Sequence, residues 1–325
     1  MTESTAISLS VLLISFVLTA VLEKILIPVL SKCAKQPIYE DGPSWHLSKS
    51  GTPTMGGLAF IAVAVPILCT LSFYLISVKK SESALTLIFA LAFALLNSAV
   101  GVIDDLTKLR NKQNAGLTPK QKLILQFLIA VLYLILLIKV LHIPTSVSFP
   151  FGNIDLGFLY LPVMAVMLVG IVNCANLTDG IDGLASSVAL TAAISLIAIT
   201  HNEIPEVSYT CFSIIGISAG FLIFNFHPAK IFMGDTGSLF LGALIAAQAM
   251  SLKNPFAIIA LCSVYVIEGV SVILQVFFYK ATEKRLFKMA PLHHHFEKSG
   301  FTEVGICALA VTVTIVFSCL AYLLN

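Results

Sequence analysis

Ten long apolar stretches dominate this chain of 325 residues and restrict the folds that are open to it. Only 11% of its residues are charged, whereas a soluble domain carries about 25%. A helix that crosses a bilayer needs roughly 20 mainly apolar residues. The sequence therefore predicts one all-α polytopic membrane domain over residues 1–325, with ten transmembrane helices at about 6–30, 55–78, 84–103, 122–141, 158–175, 184–201, 208–226, 237–252, 255–279 and 302–324.

The basic residues are divided unevenly between the predicted loops. If the ten segments cross the membrane in alternation, most of the 19 lysine and arginine residues fall in the loops after the odd-numbered segments. Lysine and arginine concentrate in the cytoplasmic loops of membrane proteins. These loops are therefore predicted to face the cytoplasm, which places both termini outside.

Five aspartates lie at the ends of apolar stretches, and the predicted topology places all five on the cytoplasmic side: Asp104, Asp105, Asp179, Asp182 and Asp235. A carboxylate at a bilayer edge costs free energy unless it is solvated, paired or bound to a cation. Mg²⁺ favours one or two carboxylates together with substrate phosphates. The pattern indicates an enzyme that binds a metal ion and a charged substrate at the membrane surface.

Two polar runs surround three of these aspartates. In NCANLTDGIDG at 173–183, Gly180 allows a ligand to approach the backbone closely, and Asn176 adds a polar side chain. In FMGDTGS at 232–238, Asp235 lies near a helix N-terminus, where backbone N–H groups favour anions. Phe232 either stacks on a flat ring or contacts lipid and core. The runs indicate that a phosphate and its metal meet here.

Three consecutive histidines, His293, His294 and His295, follow the ninth apolar stretch. Adjacent side chains point apart, whereas histidine ligands of a transition metal are usually spaced along the chain. We therefore favour contacts to phosphate or sugar, or proton transfer, over a metal site. Lys49, in a Gly- and Pro-rich approach to the second stretch, is either a phosphate contact or a solvated loop lysine. The chain has no Walker motif and no dinucleotide fingerprint.

Two further features concern the membrane segments. The outward segment 142–157 alternates Val147, Phe149 and Phe151 among turn-forming residues, a pattern typical of a short β-hairpin. Glu268 lies inside the ninth stretch. It is either a buried, hydrogen-bonded acid or a wall of the site.

Several motifs together resemble the phospho-N-acetylmuramoyl-pentapeptide transferases, a branch of the polyprenyl-phosphate N-acetylhexosamine-1-phosphate transferase superfamily. They are GTPTMGG at 51–57, DD at 104–105 followed by LTKLRNK, NLTDGIDGL at 176–184, FMGDTGSL at 232–239 and APLHHHFE at 290–297. The resemblance implies transfer of phospho-MurNAc-pentapeptide from UDP-MurNAc-pentapeptide to undecaprenyl phosphate, giving lipid I and UMP with Mg²⁺. It also implies a ten-helix homodimer in the bacterial plasma membrane, with a cytoplasmic active-site cleft and no nucleic-acid partner.

The resemblance also implies roles for individual residues. Asp235 would hold the metal, and Asp104 would orient or deprotonate the lipid phosphate with Asp105 beside it. His293, His294 and His295 would contact the phosphates or the sugar. The remaining implied contacts are Lys49, Gly180, Asp182 and Phe232 for the uridine, Lys108 and Lys120 for the phosphates, and Asn176, Asp179, Asn225, Gly234 and Ser238 for the rest of the cleft.

An apolar groove is expected on physical grounds, because a polyprenyl tail must stay in the bilayer while its phosphate reacts. Glu268 and Gln275 of the ninth segment are predicted to form its wall. Two alternatives remain at this stage. A relative that uses UDP-GlcNAc would carry similar motifs, and a transporter for a phosphorylated lipid would place charges near the middle of the membrane. Direct attack by the lipid phosphate and a two-step route through an aspartyl phosphate also remain open.

Overall fold

Helices form almost all of the computed structural model, which describes residues 3–34, 49, 51–111, 116–149, 152–201 and 203–324. In chain order the helices are α1 (Glu3–Cys33), α2 (Gly57–Ser77), α3 (Ser81–Asn111), α4 (Pro119–Val140), α5 (Tyr160–Thr178), α6 (Leu184–Ile199), α7 (Pro205–Asn225), α8 (Gly234–Ala249), α9 (Pro255–Leu261), α10 (Ser263–Thr282), α11 (Leu292–Glu297) and α12 (Glu303–Leu324). Short 3-10 turns cover Gly157–Leu159 and Met250–Leu252.

Eight of these helices are long and apolar enough to cross a membrane, namely α1, α2, α3, α4, α5, α7, α10 and α12. The chain is therefore an all-α membrane protein with several crossings. Helices α6 and α8 are shorter, at 16 residues each, and most of their side chains are buried against other helices. The count of ten transmembrane helices remains a prediction.

The ninth predicted segment differs from the structure. Residues 255–279 form two helices rather than one, because α9 ends at Leu261 and α10 begins at Ser263. The Asn254 side chain caps α9 by accepting hydrogen bonds from the N–H groups of Phe256 (3.0 Å) and Ala257 (3.3 Å). Hydropathy alone misses the break, since both helices are apolar.

A short antiparallel hairpin confirms the prediction for segment 142–157. Strand β1 (Ser146–Phe149) pairs with β2 (Gly152–Asp155). Val147 is buried, and the Phe149 ring lies 5.5 Å from that of Phe256 on α9. Phe151 falls outside the described residues. The hairpin therefore packs on the end of the helix bundle instead of standing free.

Glycines allow three helices to touch at the backbone beneath the predicted site. A Cβ placed on Gly101 of α3 would lie 2.3 Å from the carbonyl oxygen of Asp235 on α8. A Cβ on Gly57 of α2 would lie 2.2 Å from the Cα of Gly237. No other residue fits at these contacts without displacing a helix. The contacts hold α2, α3 and α8 together at the level of the aspartates.

Candidate active site

Three aspartates meet at the junction of α3 and α8. Carboxylate oxygens of Asp104, Asp105 and Asp235 all lie within 4.8 Å of one another. Asp104 and Asp105 occupy the C-terminal part of α3, and Asp235 lies in the first turn of α8. An all-oxygen donor set of this kind fits a hard divalent cation such as Mg²⁺. We call these residues, with Lys108 and Lys122, the aspartate cluster.

Asp105 is fixed by the start of α8. Its Oδ2 accepts hydrogen bonds from the N–H (2.9 Å) and the hydroxyl (2.7 Å) of Thr236, and its Oδ1 accepts one from the N–H of Asp235 (3.2 Å). These bonds satisfy N–H groups that a helix start leaves without partners. Gly234 has φ of +69°, and a Cβ there would lie 2.7 Å from Asp105 Oδ2. Asp105 thus aligns the helix that carries Asp235.

Asp235 is held entirely by side chains. Its Oδ2 lies 2.5 Å from Lys122 Nζ and 3.2 Å from Lys108 Nζ, and its Oδ1 accepts a hydrogen bond from Asn176 Nδ2 at 2.9 Å. Asn176 also donates to Ser238 Oγ at 2.8 Å. Because lysine side chains are flexible, a cation and a phosphate can replace these partners, and no hydrogen bond to the backbone has to break.

Lys122 was missed by the sequence interpretation, which assigned the phosphate contact to Lys120. Lys120 is exposed, whereas Lys122 is partly buried against Asp235. A capping box at the start of α4 fixes which side chains of the helix face the cluster: Thr118 Oγ1 accepts from the N–H of Gln121 at 3.3 Å, and Gln121 Oε1 accepts from the N–H of Thr118 at 3.0 Å. Lys122 therefore reaches the cluster, and which of the two lysines contacts a substrate phosphate stays a prediction.

Asp104 is oriented by one side chain and one backbone group. Lys108 Nζ lies 2.6 Å from its Oδ2, and the N–H of Leu117 donates to its Oδ1 at 2.7 Å. Gly116 packs so closely that a Cβ on it would lie 2.4 Å from Asp104 Oδ1. The segment before α4 therefore closes over Asp104 and leaves the carboxylate in a defined orientation.

Asp179 lies in the turn between α5 and α6, next to the aspartate cluster. Burial raises its pKa well above the usual range, and the negative charges of Asp235, Asp105 and Asp182 add to the shift. Gly183 ends the turn with φ of +76° and is the N-cap of α6. Its N–H donates to Asn225 Oδ1 at 3.1 Å. Four of the five predicted aspartates therefore share one electrostatic environment, with Asp182 close to it.

A second group of charged side chains, which we call the Lys49 cluster, consists of Lys49, Asp182, His227 and Glu303. Lys49 Nζ lies 2.7 Å from both Asp182 Oδ1 and Glu303 Oε2. His227 Nδ1 lies 3.0 Å from Asp182 Oδ2. The N–H of Asp182 donates to Glu303 Oε2 at 2.8 Å. The sequence interpretation named Lys49 and Asp182 but missed Glu303, which follows the histidine motif without a local signal.

The three histidines occupy different environments. His293 is buried, with Nδ1 at 3.2 Å from Glu268 Oε2, and a Cβ on Gly180 would lie 2.2 Å from its Nε2. His294 Nδ1 lies 2.6 Å from Glu297 Oε2, and His295 Nδ1 accepts the N–H of Lys288 at 3.1 Å. Glu268 is buried and accepts the N–H of His293 at 3.3 Å, as the first of its two interpretations expects, and its place in a wall of the site stays a prediction.

The remaining predicted residues lie around this site and brace it. Asn225 Nδ2 donates to the carbonyl of Ile231 at 2.9 Å, which links the end of α7 to the approach of α8. Phe232 is partly buried, and its N–H donates to the carbonyl of Pro53 at 2.8 Å. Gln275 Oε1 accepts the N–H groups of Leu286 (3.1 Å) and Phe287 (2.8 Å). Gln275 therefore shapes the segment after α10.

Comparison with known proteins agrees with this geometry. Residues 86–253 match the model of glycosyl transferase family 4, and residues 49–61 match signature 1 of phospho-N-acetylmuramoyl-pentapeptide-transferase. The phospho-N-acetylmuramoyl-pentapeptide-transferase of Halalkalibacterium halodurans is 44% identical, covering 97% of this chain and 96% of the relative. The protein of that name from Caldicellulosiruptor bescii is 43% identical, covering 95% of each chain. The chain belongs to the phospho-N-acetylmuramoyl-pentapeptide-transferase family.

Proposed function

We propose that this protein transfers phospho-MurNAc-pentapeptide from UDP-MurNAc-pentapeptide to undecaprenyl phosphate, which releases UMP and forms lipid I. The observation that carries the proposal is the aspartate cluster, where three carboxylates and two lysines meet at helix ends. Phosphoryl transfer needs positioning and charge neutralisation more than covalent chemistry. Family membership supports the identity of the sugar and of the lipid.

Mg²⁺ fits the oxygen donors of this site, with Asp235 as its principal ligand and Asp104 within reach. When bound, such an ion neutralises phosphate charge and polarises the phosphoryl oxygens. Asp235 suits the role because the partners of its carboxylate are side chains, which can exchange: Lys108, Lys122, Asn176 and Asp104. Asp105 suits it less, since it accepts backbone N–H groups of α8.

The lysines of the cluster supply positive charge for the substrate phosphates. Lys122 and Lys108 contact Asp235, and either ammonium can turn to a phosphate oxygen. Asp104 faces the same junction and accepts the proton or orients the phosphate of the lipid acceptor. Direct attack by that phosphate needs no covalent intermediate on the protein.

The donor nucleotide lies toward the Lys49 cluster in this proposal. Lys49, the turn that carries Gly180 and Asp182, and Phe232 hold the uridine, with the Phe232 ring stacked on uracil. His293 lies against Gly180 and is proposed to contact the diphosphate or the sugar. These positions leave the peptide free to extend toward the aqueous phase.

The proposal includes an orientation in the membrane. Ten segments cross the plasma membrane, both termini face outward, and the two clusters face the cytoplasm, where UDP-sugars are made. The basic residues concentrated in the loops after the odd-numbered segments support this orientation. We also propose a homodimer, on the basis of the family resemblance.

An assay of UMP release tests the function. Purified protein is incubated with undecaprenyl phosphate and either UDP-MurNAc-pentapeptide or UDP-GlcNAc, with Mg²⁺ or with a chelator. We expect UMP from the first donor alone and only with Mg²⁺. UMP from UDP-GlcNAc would instead support the relative with that specificity, and phospholipid movement without UMP would support a transporter.

A trapping experiment tests the one-step route. Asp104→Asn protein is incubated with labelled donor in the absence of the lipid acceptor, and labelled phospho-sugar bound to the protein is measured after denaturation. We expect none. A covalent adduct would contradict the assigned role of Asp104.

A further inference from the structure

Glu303, the first residue of α12, connects three segments that are distant in sequence. Its Oε2 accepts hydrogen bonds from Lys49 Nζ at 2.7 Å and from the N–H of Asp182 at 2.8 Å. Its Oε1 lies 3.5 Å from His227 Nδ1. Glu303 is largely buried, with 12% of its side chain exposed. A carboxylate this enclosed is costly unless it is paired, and these partners compensate for the cost.

Lys49 receives its position from two carboxylates. Asp182 and Glu303 each bind its ammonium at 2.7 Å. An ammonium has three N–H donors, so within the described part of the chain one donor remains for another acceptor. Two charged anchors hold a flexible lysine in one place and lower the entropy that it would lose on binding a substrate.

The turn that carries Asp182 depends on the same glutamate. Asp182 uses its carboxylate for Lys49, His227 and the N–H of Ala229. Its own N–H has Glu303 as acceptor, at 2.8 Å. Without Glu303 this N–H loses that acceptor in a largely buried site, and Lys49 keeps one carboxylate instead of two.

We propose that Glu303 is a positioning residue for the nucleotide end of the donor, acting through Lys49 and the Asp182 turn. This inference rests on the proposed function. We place Glu303 outside the transfer itself, because its partners among the described residues belong to the Lys49 cluster and none to the aspartate cluster. Its loss therefore weakens donor binding more than it slows the transfer.

The test is kinetic and uses the full chain. Glu303→Ala should raise KM for UDP-MurNAc-pentapeptide about tenfold, as expected for one lost charged hydrogen bond. The inhibition constant of UMP should rise by a similar factor, because UMP shares the uridine but lacks the sugar and peptide. KM for undecaprenyl phosphate and kcat should change less than about twofold. Glu82→Ala, which removes an exposed acid from the first turn of α3, is the matched control.

A double-variant cycle identifies the route of the effect. In a Lys49→Met background, adding Glu303→Ala should raise the donor KM by only about threefold, the part that acts through the Asp182 turn, since coupled residues are not additive. Glu303→Gln keeps an acceptor for the Asp182 N–H but loses the charge, and it should raise KM by about threefold. If Glu303→Ala does not fold, Glu303→Gln still tests the positioning role of Glu303.

Two results would overturn the inference while the proposed function stands. One is an active protein whose donor KM is unchanged in both Glu303 variants. The other is a Glu303→Ala effect that persists at full size in the Lys49→Met background. Absence of UMP release by the unmodified protein would instead overturn the proposed function.

Discussion

The aspartate cluster and the Lys49 cluster contain similar side chains but are held in different ways. Both pair carboxylates with lysine at distances of 2.5 to 3.2 Å. In the aspartate cluster, Asp235 is bound only by side chains. In the Lys49 cluster, Asp182 has the side chains of Lys49, His227 and Glu303 as partners, and its carboxylate also accepts the backbone N–H of Ala229 at 2.9 Å.

This difference indicates a division of labour between the two clusters. Side-chain partners can exchange for a metal ion and phosphates at little conformational cost, so Asp235 suits a reacting site. Backbone partners resist exchange, so Asp182 suits a preformed binding surface. The predictions below test that division from the largest expected effect to the smallest.

Loss of the Asp235 charge should have the largest effect. Asp235→Asn removes the proposed metal ligand, and we expect UMP release to fall by at least about 10³-fold, comparable to the loss of strong electrostatic stabilisation. Asp155→Asn, on the exposed hairpin strand, is the control and should retain activity. An active Asp235→Asn protein with unchanged Mg²⁺ dependence would place the metal elsewhere.

The two lysines at the start of α4 should differ strongly. Lys122→Met removes an ammonium from Asp235, and we expect a loss of roughly 10²-fold in kcat. Lys120→Met, two residues away and exposed, should stay within about twofold. Equal losses in the two variants would show that α4 is rotated differently about its axis in the working enzyme, so that Lys122 does not face Asp235 alone.

Removal of the charge beside His293 should have an intermediate effect. Glu268→Gln keeps the shape of the side chain but loses the charged contact at 3.2 Å. We expect activity to fall about tenfold, the value of one hydrogen bond to a charged group, here the one that the N–H of His293 donates to Glu268 Oε2 at 3.3 Å. Glu82→Gln serves as the exposed control. Unchanged activity in Glu268→Gln would mean that His293 is oriented by packing against Gly180 alone.

Titration of Asp179 should have the smallest effect, on stability rather than rate. Because burial and neighbouring carboxylates raise the pKa of Asp179, the folded protein retains a proton that the unfolded chain has lost. The free energy of unfolding should therefore fall as pH rises from the ordinary aspartate range, near about 4, toward the raised pKa. Asp179→Asn should flatten this dependence in thermal unfolding measured with chelator. The same slope in both proteins would contradict the assignment.

Local patterns were sufficient to predict much of the fold and part of the site. The length of the apolar stretches predicted the membrane helices. The alternation of apolar and polar residues predicted the hairpin that includes Val147. The aspartates could be predicted to converge because alternate crossing brings helix ends to one side. The break between α9 and α10 left no hydropathy signal, so one segment was predicted instead of two.

Two contacts were missed, those of Lys122 and Glu303. The first depends on the rotation of α4 about its axis, and the second joins residues that are far apart in sequence. Lys120 and Lys122 differ by about 200° around a helix, so the start of α4 at Thr118 decides which one reaches Asp235. Glu303 meets Asp182 across 121 positions, and nothing near either residue indicates that pairing. The partner of Glu268, His293, lies 25 positions away, and nothing in the sequence near Glu268 indicates it.

The backbone contacts of α2, α3 and α8 have a consequence for how this sequence can vary. Gly57, Gly101 and Gly237 would reach no substrate in the proposed site, yet a single methyl group at any of them would displace α8, which carries Asp235, from α2 or from α3. A saturation library selected for growth should therefore tolerate these positions as poorly as the aspartates themselves.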